Sequence, residues 1–275
     1  MQFEGLIRLA AFLAVFAAVA SWELASPRRK SAFARPMRWP SNLGLLVVDV
    51  ALLRLLAPGA AIAVALTAQA GGWGLLNVVK LPAALAFAMA IVLLDVAIYF
   101  QHVMFHAVPT LWRLHRVHHS DLHFDVTTGT RFHPVEILIS TAIKCSVVAA
   151  IGAAPVAVLM FEALLNATAL FNHANASLPA RGEAWLRWLI VTPDMHRIHH
   201  SVQYDESSSN FGFNLPWWDR LFGTYRSEPR AGHAAMAIGV DAFRSEEDLR
   251  LDRLLIQPLQ NSPGQYPINR RRAAQ

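Results

Sequence analysis

Long apolar runs constrain the fold of this chain more than any other feature of its sequence. They lie at residues 6–24, 43–68, 82–100 and 137–171. A helix of about 20 apolar residues spans the roughly 30 Å hydrocarbon core of a bilayer. Hydrophobic residues make up 55% of the 275 residues and charged residues only 16%, whereas charged residues are about 25% of an ordinary soluble protein. The sequence therefore predicts an all-α, polytopic helical membrane protein.

The fourth run is too long for one span. Gly152 and Pro155 interrupt it near its middle, and both residues favour a helix end. We therefore expect about three spans followed by a helical hairpin of two short helices. In the second run, Asp49 and Arg54 are interruptions, and Pro58 is expected to kink the helix.

Basic residues crowd the segment between the first two runs. They are Arg28, Arg29, Lys30, Arg35 and Arg38. Lys and Arg favour the cytoplasmic side of a membrane, and counting spans from there puts residues 70–80 outside. Residues 101–136 and 172–275 then share the cytoplasmic face, and all twelve histidines fall in these two segments. We predict a cytoplasmic helical cap on an integral protein of the inner or cell membrane.

Charge and cysteine usage exclude other classes of protein. The net charge of +5 fits contact with anionic headgroups, and no basic face exists apart from the hydrophobic runs, so nucleic-acid binding is not expected. The single cysteine, Cys145, cannot form an internal disulfide, and there is no Cys-x-x-Cys for a zinc or iron–sulfur site. The first run lacks a basic leader and a small-residue cleavage site, so we interpret it as a retained anchor.

Eleven of the twelve histidines lie between positions 102 and 200, and eight of them form three tight groups. The groups are His102 and His106; His115, His118 and His119; and His196, His199 and His200. Spacings of three and four residues place side chains on one face of a helix, so that imidazoles can reach one metal ion. Uncoordinated imidazoles so close together would oppose one another's protonation without any gain. The pattern therefore predicts metal binding.

The number of imidazoles indicates two metal ions with redox chemistry. Imidazole suits iron, zinc, copper and nickel, and eight to ten such ligands exceed what one ion accepts. A hydrolytic zinc site usually needs three protein ligands plus water, so the excess favours a redox pair, although ligand type alone leaves zinc open. The Glu-x-x-His pairs of soluble di-iron bundles are absent from this sequence.

The motifs, in this order, resemble the fatty acid hydroxylase superfamily, specifically its sterol desaturase branch. They are His102-x-x-x-His106, His115-x-x-His118-His119, Asp125-Val-Thr-Thr…Arg131-Phe-His133-Pro, His196-x-x-His199-His200 and Asn210-Phe-Gly…Trp218-Asp-Arg-Leu-Phe-Gly-Thr224. The resemblance covers about residues 85–226. It implies a non-haem di-iron centre on the cytoplasmic face, above a small helical membrane domain, with O2 activation and oxidation of a C–H bond.

The resemblance also implies a set of metal ligands. They are His102, His106, His115, His118, His119, His173, His196, His199 and His200, with His133 as a further candidate. Ser177 stands where some relatives place another histidine, so the set has nine members unless His133 supplies a tenth. The first motif has three intervening residues where fatty acyl hydroxylases often have four, which points away from that substrate class.

Other polar residues are candidates for holding the ligand rings. They are Asp95, which lies in an apolar run where an acid is costly, Asp125, Glu136, Asp194 and, by the motif alone, Asn210. His123 and His233 are expected to be structural. The Trp217, Trp218, Arg220 and Phe222 cluster suits either an aromatic belt at the membrane interface or a packed turn.

The function implied by the resemblance is that of a membrane-bound di-iron hydroxylase or desaturase. Two iron ions would be the cofactors, O2 the co-substrate, and a sterol, hopanoid, carotenoid, ether lipid or fatty acyl chain the substrate. Electrons need a separate donor, such as a ferredoxin or a cytochrome with its reductase, because the chain has no haem, flavin or cysteine-ligated cluster motif. A membrane zinc-dependent lipid hydrolase and a metal carrier or store are the alternatives.

We expect three regions along the chain. Residues 1–80 form N-terminal anchor helices, residues 81–226 a catalytic domain, and residues 227–275 a cytoplasmic tail that touches the membrane surface. Arg270, Arg271 and Arg272 lie near the end of that tail.

Overall fold

A computed structural model describes residues 4–30 and 35–260. Within these ranges the chain is helical and has no β-strand, as predicted. The α-helices are α1 (Glu4–Ala25), α2 (Arg35–Leu56), α3 (Ala60–Gly71), α4 (Leu75–Val78), α5 (Ala83–Ala107), α6 (Pro109–His119), α7 (Pro134–Ile151), α8 (Pro155–Asn172), α9 (Ala180–Leu186), α10 (Pro193–His199), α11 (Tyr204–Ser207), α12 (Trp217–Leu221), α13 (Gly232–Ala235) and α14 (Leu251–Ile256). Short 3-10 helices lie at Thr128–Thr130, Glu247–Leu249 and Gln257–Leu259.

Five helical segments of the described residues are long and apolar enough to cross a membrane. They are Arg8–Ala25, Arg35–Val78, Ala83–Ala107, Pro134–Ile151 and Pro155–Asn172. The last two are α7 and α8, each of 18 residues, which at 1.5 Å per residue makes each about 27 Å long. The chain breaks between them at Gly152 and Pro155, as predicted. Each arm of the expected hairpin is thus nearly as long as the hydrocarbon core is thick.

The second apolar run forms two helices rather than one kinked helix. The chain breaks between Leu56 and Ala60, where Gly59 has a φ of 64°. Small residues of α3, among them Ala61 and Ala65, pack with α5, α7 and α8 in the main apolar core. Small side chains allow the close approach of backbones that is common between membrane helices.

The two ends of this bundle differ. At one end, Gly74 packs so closely on the turn between α7 and α8 that a Cβ at Gly74 would lie 2.4 Å from the Gly152 Cα. At the other end, Arg38 of α2 is buried against Asp121 and Asp125. The segment around Gly74 therefore lies at the opposite end of the bundle from the histidines, as the predicted topology requires.

A cap formed by residues 108–133 and 173–260 covers the histidine end of the bundle. The Arg38 guanidinium lies 2.6 Å from Asp121 and 2.7 Å from Asp125, and Arg28 lies 3.1 Å from Asp194. The basic segment between the first two runs thus contacts the cap directly. This contact agrees with the prediction that the segment and the histidines share one face.

Between residues 228 and 260 the chain packs on α2 and α6. Leu254 of α14 joins Leu45 of α2 and Val117 of α6 in a buried cluster, and Arg116 donates to the Gln257 carbonyl at 2.6 Å. Up to residue 260, the segment expected to be a tail is therefore part of the folded cap. Arg270, Arg271 and Arg272 lie outside the described residues.

Candidate metal centre

Three helices and one helix end carry the histidines into the centre. α5 continues past its apolar part to bring His102 and His106 into the cap, and Pro109 then starts α6 in a new direction. The second triplet lies on α10 and its C-cap, His200. The N-terminus of this short helix is capped by Thr192, which accepts a hydrogen bond from Met195 N. His173 is the C-cap of α8. The local sequence thus fixes each imidazole to a helix or to its end.

Nine buried histidines meet in two groups, in each of which ring nitrogens lie within 4.8 Å of one another. The first group is His102, His106, His115, His119 and His199, and the second is His118, His173, His196 and His200. The groups are adjacent, since the His119 and His200 rings stack at 4.4 Å. The two His-x-x-His-His triplets therefore converge, each giving residues to both groups.

The hydrogen bonds of the first group make it able to bind a cation. His102 Nδ1 donates to the Phe211 carbonyl and His199 Nδ1 to the Ser209 carbonyl, both at 2.8 Å. Each neutral ring therefore presents an Nε2 lone pair, and these two Nε2 atoms lie 2.9 Å apart. Such lone pairs repel one another unless a cation binds both. Two imidazoles bound at a right angle to one ion at about 2.1 Å would lie roughly 3.0 Å apart.

The second group has the same character. His173 Nδ1 donates to the Ala169 carbonyl at 2.7 Å, so its Nε2 is a lone pair that lies 3.2 Å from His118 Nε2 and 3.1 Å from His196 Nε2. Among the described residues, His118 Nδ1, His196 Nδ1 and both His200 ring nitrogens are buried without a hydrogen-bond partner. Buried polar atoms are nearly always paired, and a metal ion in this group would give the His200 ring the partner that it lacks.

Burial keeps the ligand rings of the cap neutral. It lowers the pKa of His115 to about 3 and that of His173 to about 3, because a charged ring is poorly solvated in the interior. Burial, and then repulsion from neighbouring imidazoles, lowers the pKa of His118 and His200 well below the usual value. Neutral imidazole is the form that binds metal.

Glu136, one of the residues expected to hold a ligand ring, accepts a hydrogen bond from a histidine of the first group. It lies in the first turn of α7, and its Oε1 accepts from His115 Nδ1 at 2.6 Å. This bond leaves His115 Nε2 directed into the first group, where it has no protein partner among the described residues. A carboxylate on the outer nitrogen fixes the orientation of a ligand ring and raises its basicity.

Asp95 does not receive a ring N–H, contrary to our expectation. The Phe211 carbonyl takes that position on His102 Nδ1. Asp95 instead accepts from Asn214 Nδ2 and from Trp218 Nε1, both at 2.7 Å. Asp95 therefore holds residues 214–218, the segment that follows the Ser209 and Phe211 carbonyls in the chain.

Asp125 and Asp194 also contact residues other than the ligand rings. Asp125 pairs with Arg38 at 2.7 Å. Asp194 pairs with Arg28 and with Arg197 of its own helix. Burial alone would raise the pKa of both carboxyls, but the positive charge of the arginines outweighs burial, so both pKa values lie below the usual value. These two acids join the cap to the first helices.

Asn210 contacts backbone rather than an imidazole. Its Nδ2 donates to the Met195 and Arg226 carbonyls, each at 2.9 Å. Its φ of 53° lies in the left-handed region, which Asn tolerates better than most residues. This turn lets the flanking Ser209 and Phe211 carbonyls reach rings on two different helices. The sequence carries no signal for those carbonyls, because every residue has one.

Three histidines lie outside both groups. His133 caps α7, where its Nδ1 accepts from Val135 N at 3.2 Å and its Nε2 donates to the Leu255 carbonyl at 3.1 Å. His123 and His233 are buried elsewhere in the cap. The structure therefore brings together nine of the ten predicted ligands and places His133 apart from them.

Aromatic rings surround the centre, and the sequence analysis did not assign them. The Trp112 ring lies 4.9 Å from that of His106 and 5.4 Å from that of His119. Trp112 and His119 also line a small cavity in the cap, whose other walls include Ser201 and Tyr204. One member of the first group, His119, is therefore part of the wall of this cavity.

The Trp217, Trp218, Arg220 and Phe222 cluster is partly a packed turn and partly an exposed aromatic surface. Trp218 is packed against Asp95, whereas Trp217 is 47% and Phe222 46% exposed. The Phe222 ring lies 5.0 Å from that of Phe100, which is itself exposed on α5. The exposed rings therefore continue the apolar surface of the bundle onto the cap.

Comparisons with known proteins agree with this geometry. The family model for fatty acid hydroxylase matches residues 87–224. Ornithine lipid hydroxylase OlsE of Rhizobium tropici is 30% identical over 57% of this chain and 46% of its own length. Alkylglycerol monooxygenase of Xenopus tropicalis is 29% identical over 49% of this chain and 29% of its own, and cholesterol 25-hydroxylase of Rattus norvegicus 25% identical over 52% and 47%. The chain thus spans less than half the length of these relatives. No solved structure matches it.

Proposed function

Because the chain belongs to the fatty acid hydroxylase family, we propose that it is a membrane-bound di-iron oxygenase that uses O2 and external electrons to hydroxylate a lipid. The observation that carries this proposal is the convergence of nine buried imidazoles in two adjacent groups. Similar proteins are named for the hydroxylation or monooxygenation of ornithine lipid, alkylglycerol and cholesterol. These names favour hydroxylation over desaturation.

Each group would hold one metal ion. Iron is favoured over zinc because the first group offers five imidazoles, whereas a structural zinc site takes four ligands and a catalytic one usually three. When bound, a pair of iron ions would supply one-electron redox chemistry with O2. In the balanced reaction two electrons and two protons are consumed with each O2, one oxygen atom enters the lipid, and the other leaves as water.

The chain's own residues hold and orient the imidazoles. The Ser209, Phe211 and Ala169 carbonyls and the Glu136 carboxylate fix the tautomer of four rings, so that Nε2 is presented to the centre. Burial keeps the rings neutral and excludes bulk water. A dry, preorganised site protects a reactive oxidant from side reactions.

Substrate and electrons would approach from different sides. An alkyl chain partitions into the bilayer. The bilayer would surround the five apolar segments, which form the bundle side of the centre. A separate electron donor, a ferredoxin or a cytochrome with its reductase, would approach the cap, where the cavity beside Trp112 and His119 opens. The basic segment that contacts the cap supports a cytoplasmic location for this face.

The proposal is tested by the origin of the oxygen atom in the product. Cells that make the protein are grown under isotopically labelled O2, and their lipid extracts are compared by mass spectrometry with those of the His118→Ala variant. We expect a lipid that carries labelled oxygen, that is lost with His118→Ala, and that persists with His133→Ala, the matched change outside both groups. Lipid cleavage with oxygen taken from water would instead support a hydrolase and contradict the proposal.

A further inference from the structure

Five phenylalanine rings contact the nine histidines, and they fall into two kinds. Phe105, Phe124 and Phe211 are buried, and in the described part of the chain each contacts the imidazoles of a single group. Phe132 and Phe213 contact imidazoles of both groups, and both are partly exposed. Exposure and contact with both groups therefore coincide in the same two side chains.

Phe132 contacts one histidine of each group. Its ring stacks on that of His118 in the second group at 4.5 Å, with 8° between the planes. It also lies 6.5 Å from the ring of His115 in the first group. The stack occupies one face of the phenyl group, and the side chain is partly exposed.

Phe213 also contacts histidines of both groups. Its ring is 6.2 Å from that of His102 in the first group. It is 5.9 Å from that of His196 and 6.5 Å from that of His173, both in the second group. Phe213 is thus a partly exposed apolar side chain beside the position between the two groups.

Both phenylalanines lie where the bundle meets the cap. Phe132 comes just before Pro134, the first residue of α7. The Phe213 carbonyl accepts from the side chain of Asn172, the last residue of α8, at 3.1 Å. Because α7 and α8 are candidate membrane spans, both rings lie beside the ends of spans. The cavity beside Trp112 and His119, by contrast, opens within the cap.

We propose that Phe132 and Phe213 flank the opening through which the alkyl chain of the substrate reaches the position between the two metal groups, and that they set which carbon is oxidised. This inference rests on the proposed function. A C–H bond must come close to both groups to be oxidised there, and these two rings occupy the partly exposed, apolar positions that touch both. Their bulk limits how far an alkyl chain advances.

The opening is tested first by thiol accessibility, which needs no turnover. Phe132→Cys and Phe213→Cys are made in a Cys145→Ser background that removes the single native cysteine. Phe124→Cys and Phe211→Cys are the matched controls, because they replace buried phenylalanines beside the same histidines. Each protein is reconstituted in phosphatidylcholine vesicles and its metal content is measured. It is then treated with lipid-soluble pyrenylmaleimide or with a charged, membrane-impermeant thiosulfonate.

We expect the thiols at positions 132 and 213 to react with pyrenylmaleimide about tenfold faster than the controls, because a buried thiol reacts only through local opening. They should not show this advantage with the charged reagent. Equal rates at all four positions, or faster reaction with the charged reagent at 132 and 213, would overturn the inference.

Product analysis supplies a second readout. In Phe132→Leu and Phe213→Leu we expect the oxidised carbon of the lipid product to shift or to spread over neighbouring positions, with unchanged iron content. Phe124→Leu should keep the original position. Accessible thiols without any oxidised lipid, even from the unaltered chain, would contradict the proposed function and leave the opening supported. Inaccessible thiols and an unshifted product alongside normal oxidation would contradict the opening and leave the proposed function standing.

Discussion

The orientation of the ligand rings is set mostly by backbone. Three rings of the centre donate Nδ1 to carbonyls, and His115 donates to the Glu136 carboxylate. Among these four acceptors, Glu136 is the one that a point mutation can remove. It therefore offers the cleanest test of how much ring orientation contributes to metal binding.

Replacing Glu136 with Gln should weaken metal binding by about 10- to 100-fold, the usual effect of changing a partner on the outer nitrogen of a ligand, because a neutral amide oxygen accepts more weakly than a carboxylate and no longer raises the basicity of His115. Chelator competition followed by metal analysis measures this change. Glu162→Gln is the control, because Glu162 is also an acid of the bundle but pairs with Arg8 and Lys144. Equal metal affinities in the two variants would show that the Glu136–His115 bond has no such role.

The metal-free protein should lose stability as the pH falls from about 8 to about 5. The pKa of His115 and of His173 is lowered to about 3 in the folded state, against about 6.5 in the unfolded chain. Below about 6.5 the unfolded chain binds protons that the folded one does not, so each such ring reduces stability by up to about 1.4 kcal/mol per pH unit. Melting temperatures in detergent measure this, and a melting temperature that rises on acidification would contradict it.

At this scale the sequence predicted the imidazoles better than their partners. Spacings of three and four residues indicated eight of the nine clustered histidines directly, and the resemblance added His173. The carbonyls that orient the rings were not predictable, because any residue can supply one once the fold brings it near. The role expected for Asp95 was wrong for the same reason, since the Phe211 carbonyl lies closer to His102.

Among the helices, the turn between α7 and α8 depends on two glycines in contact. Gly152 has a φ of 64°, and a Cβ there would lie 2.6 Å from Asn77 Nδ2 and 3.0 Å from the Trp73 carbonyl. Gly152→Ala should therefore destabilise the protein by about 2 to 4 kcal/mol, from backbone strain and overpacking together.

The control for this prediction is Gly182→Ala. Gly182 lies in α9, and a Cβ there meets nothing within 4 Å, so the change should be neutral or stabilise by about 0.5 to 1 kcal/mol. Melting temperatures in detergent compare the two variants. Equal melting temperatures would mean that the glycine contact does not hold the turn.

Arg38 joins α2 to the cap, and its removal should be severe. Arg38→Met leaves Asp121 and Asp125 buried without their cation, and breaking a buried pair in this way costs about 3 to 5 kcal/mol. Arg35→Met in the same helix should cost less than about 1 kcal/mol, because Arg35 is 32% exposed and 3.4 Å from Glu23.

The folded fraction after detergent extraction measures the effect of both changes. If Arg38→Met fails to fold, adding Asp121→Asn should recover part of the folded protein by removing one uncompensated charge. Equal yields from Arg38→Met and Arg35→Met would contradict the role given to Arg38.

Helix positions were predictable where apolar runs and helix-breaking residues coincide. The break at Gly152 and Pro155 is such a case. The second run was less informative. Pro58 lies at a break between α2 and α3, but the apolar pattern alone does not distinguish a break from a kink. The packing of α14 on α2 was not predictable, because the sequence of a short helix with polar neighbours does not indicate which helix it packs against.

In the whole molecule, the candidate centre lies between an apolar bundle and a polar cap. The Gly74 segment and the histidines lie at opposite ends of the bundle, and counting spans from the basic segment predicted this relation. Which end faces the cytoplasm follows from the positive-inside tendency, and that assignment can be tested separately.

Trp73→Cys and Glu246→Cys test it in a Cys145→Ser background. Trp73 is exposed at the Gly74 end, and Glu246 is exposed on the cap. A membrane-impermeant thiol reagent should label position 73 in intact cells and position 246 only after the membrane is opened. The reverse pattern would place the histidines outside the cell.

The central claim is that nine imidazoles hold two iron ions that react with O2. The most direct test is metal analysis of the detergent-purified protein with Mössbauer spectroscopy and O2 uptake on the same sample. We predict two irons in each chain, spectroscopically coupled, with O2 uptake that depends on added lipid and reductant. Two zinc ions, or a single ion, in each chain without O2 uptake would contradict the account.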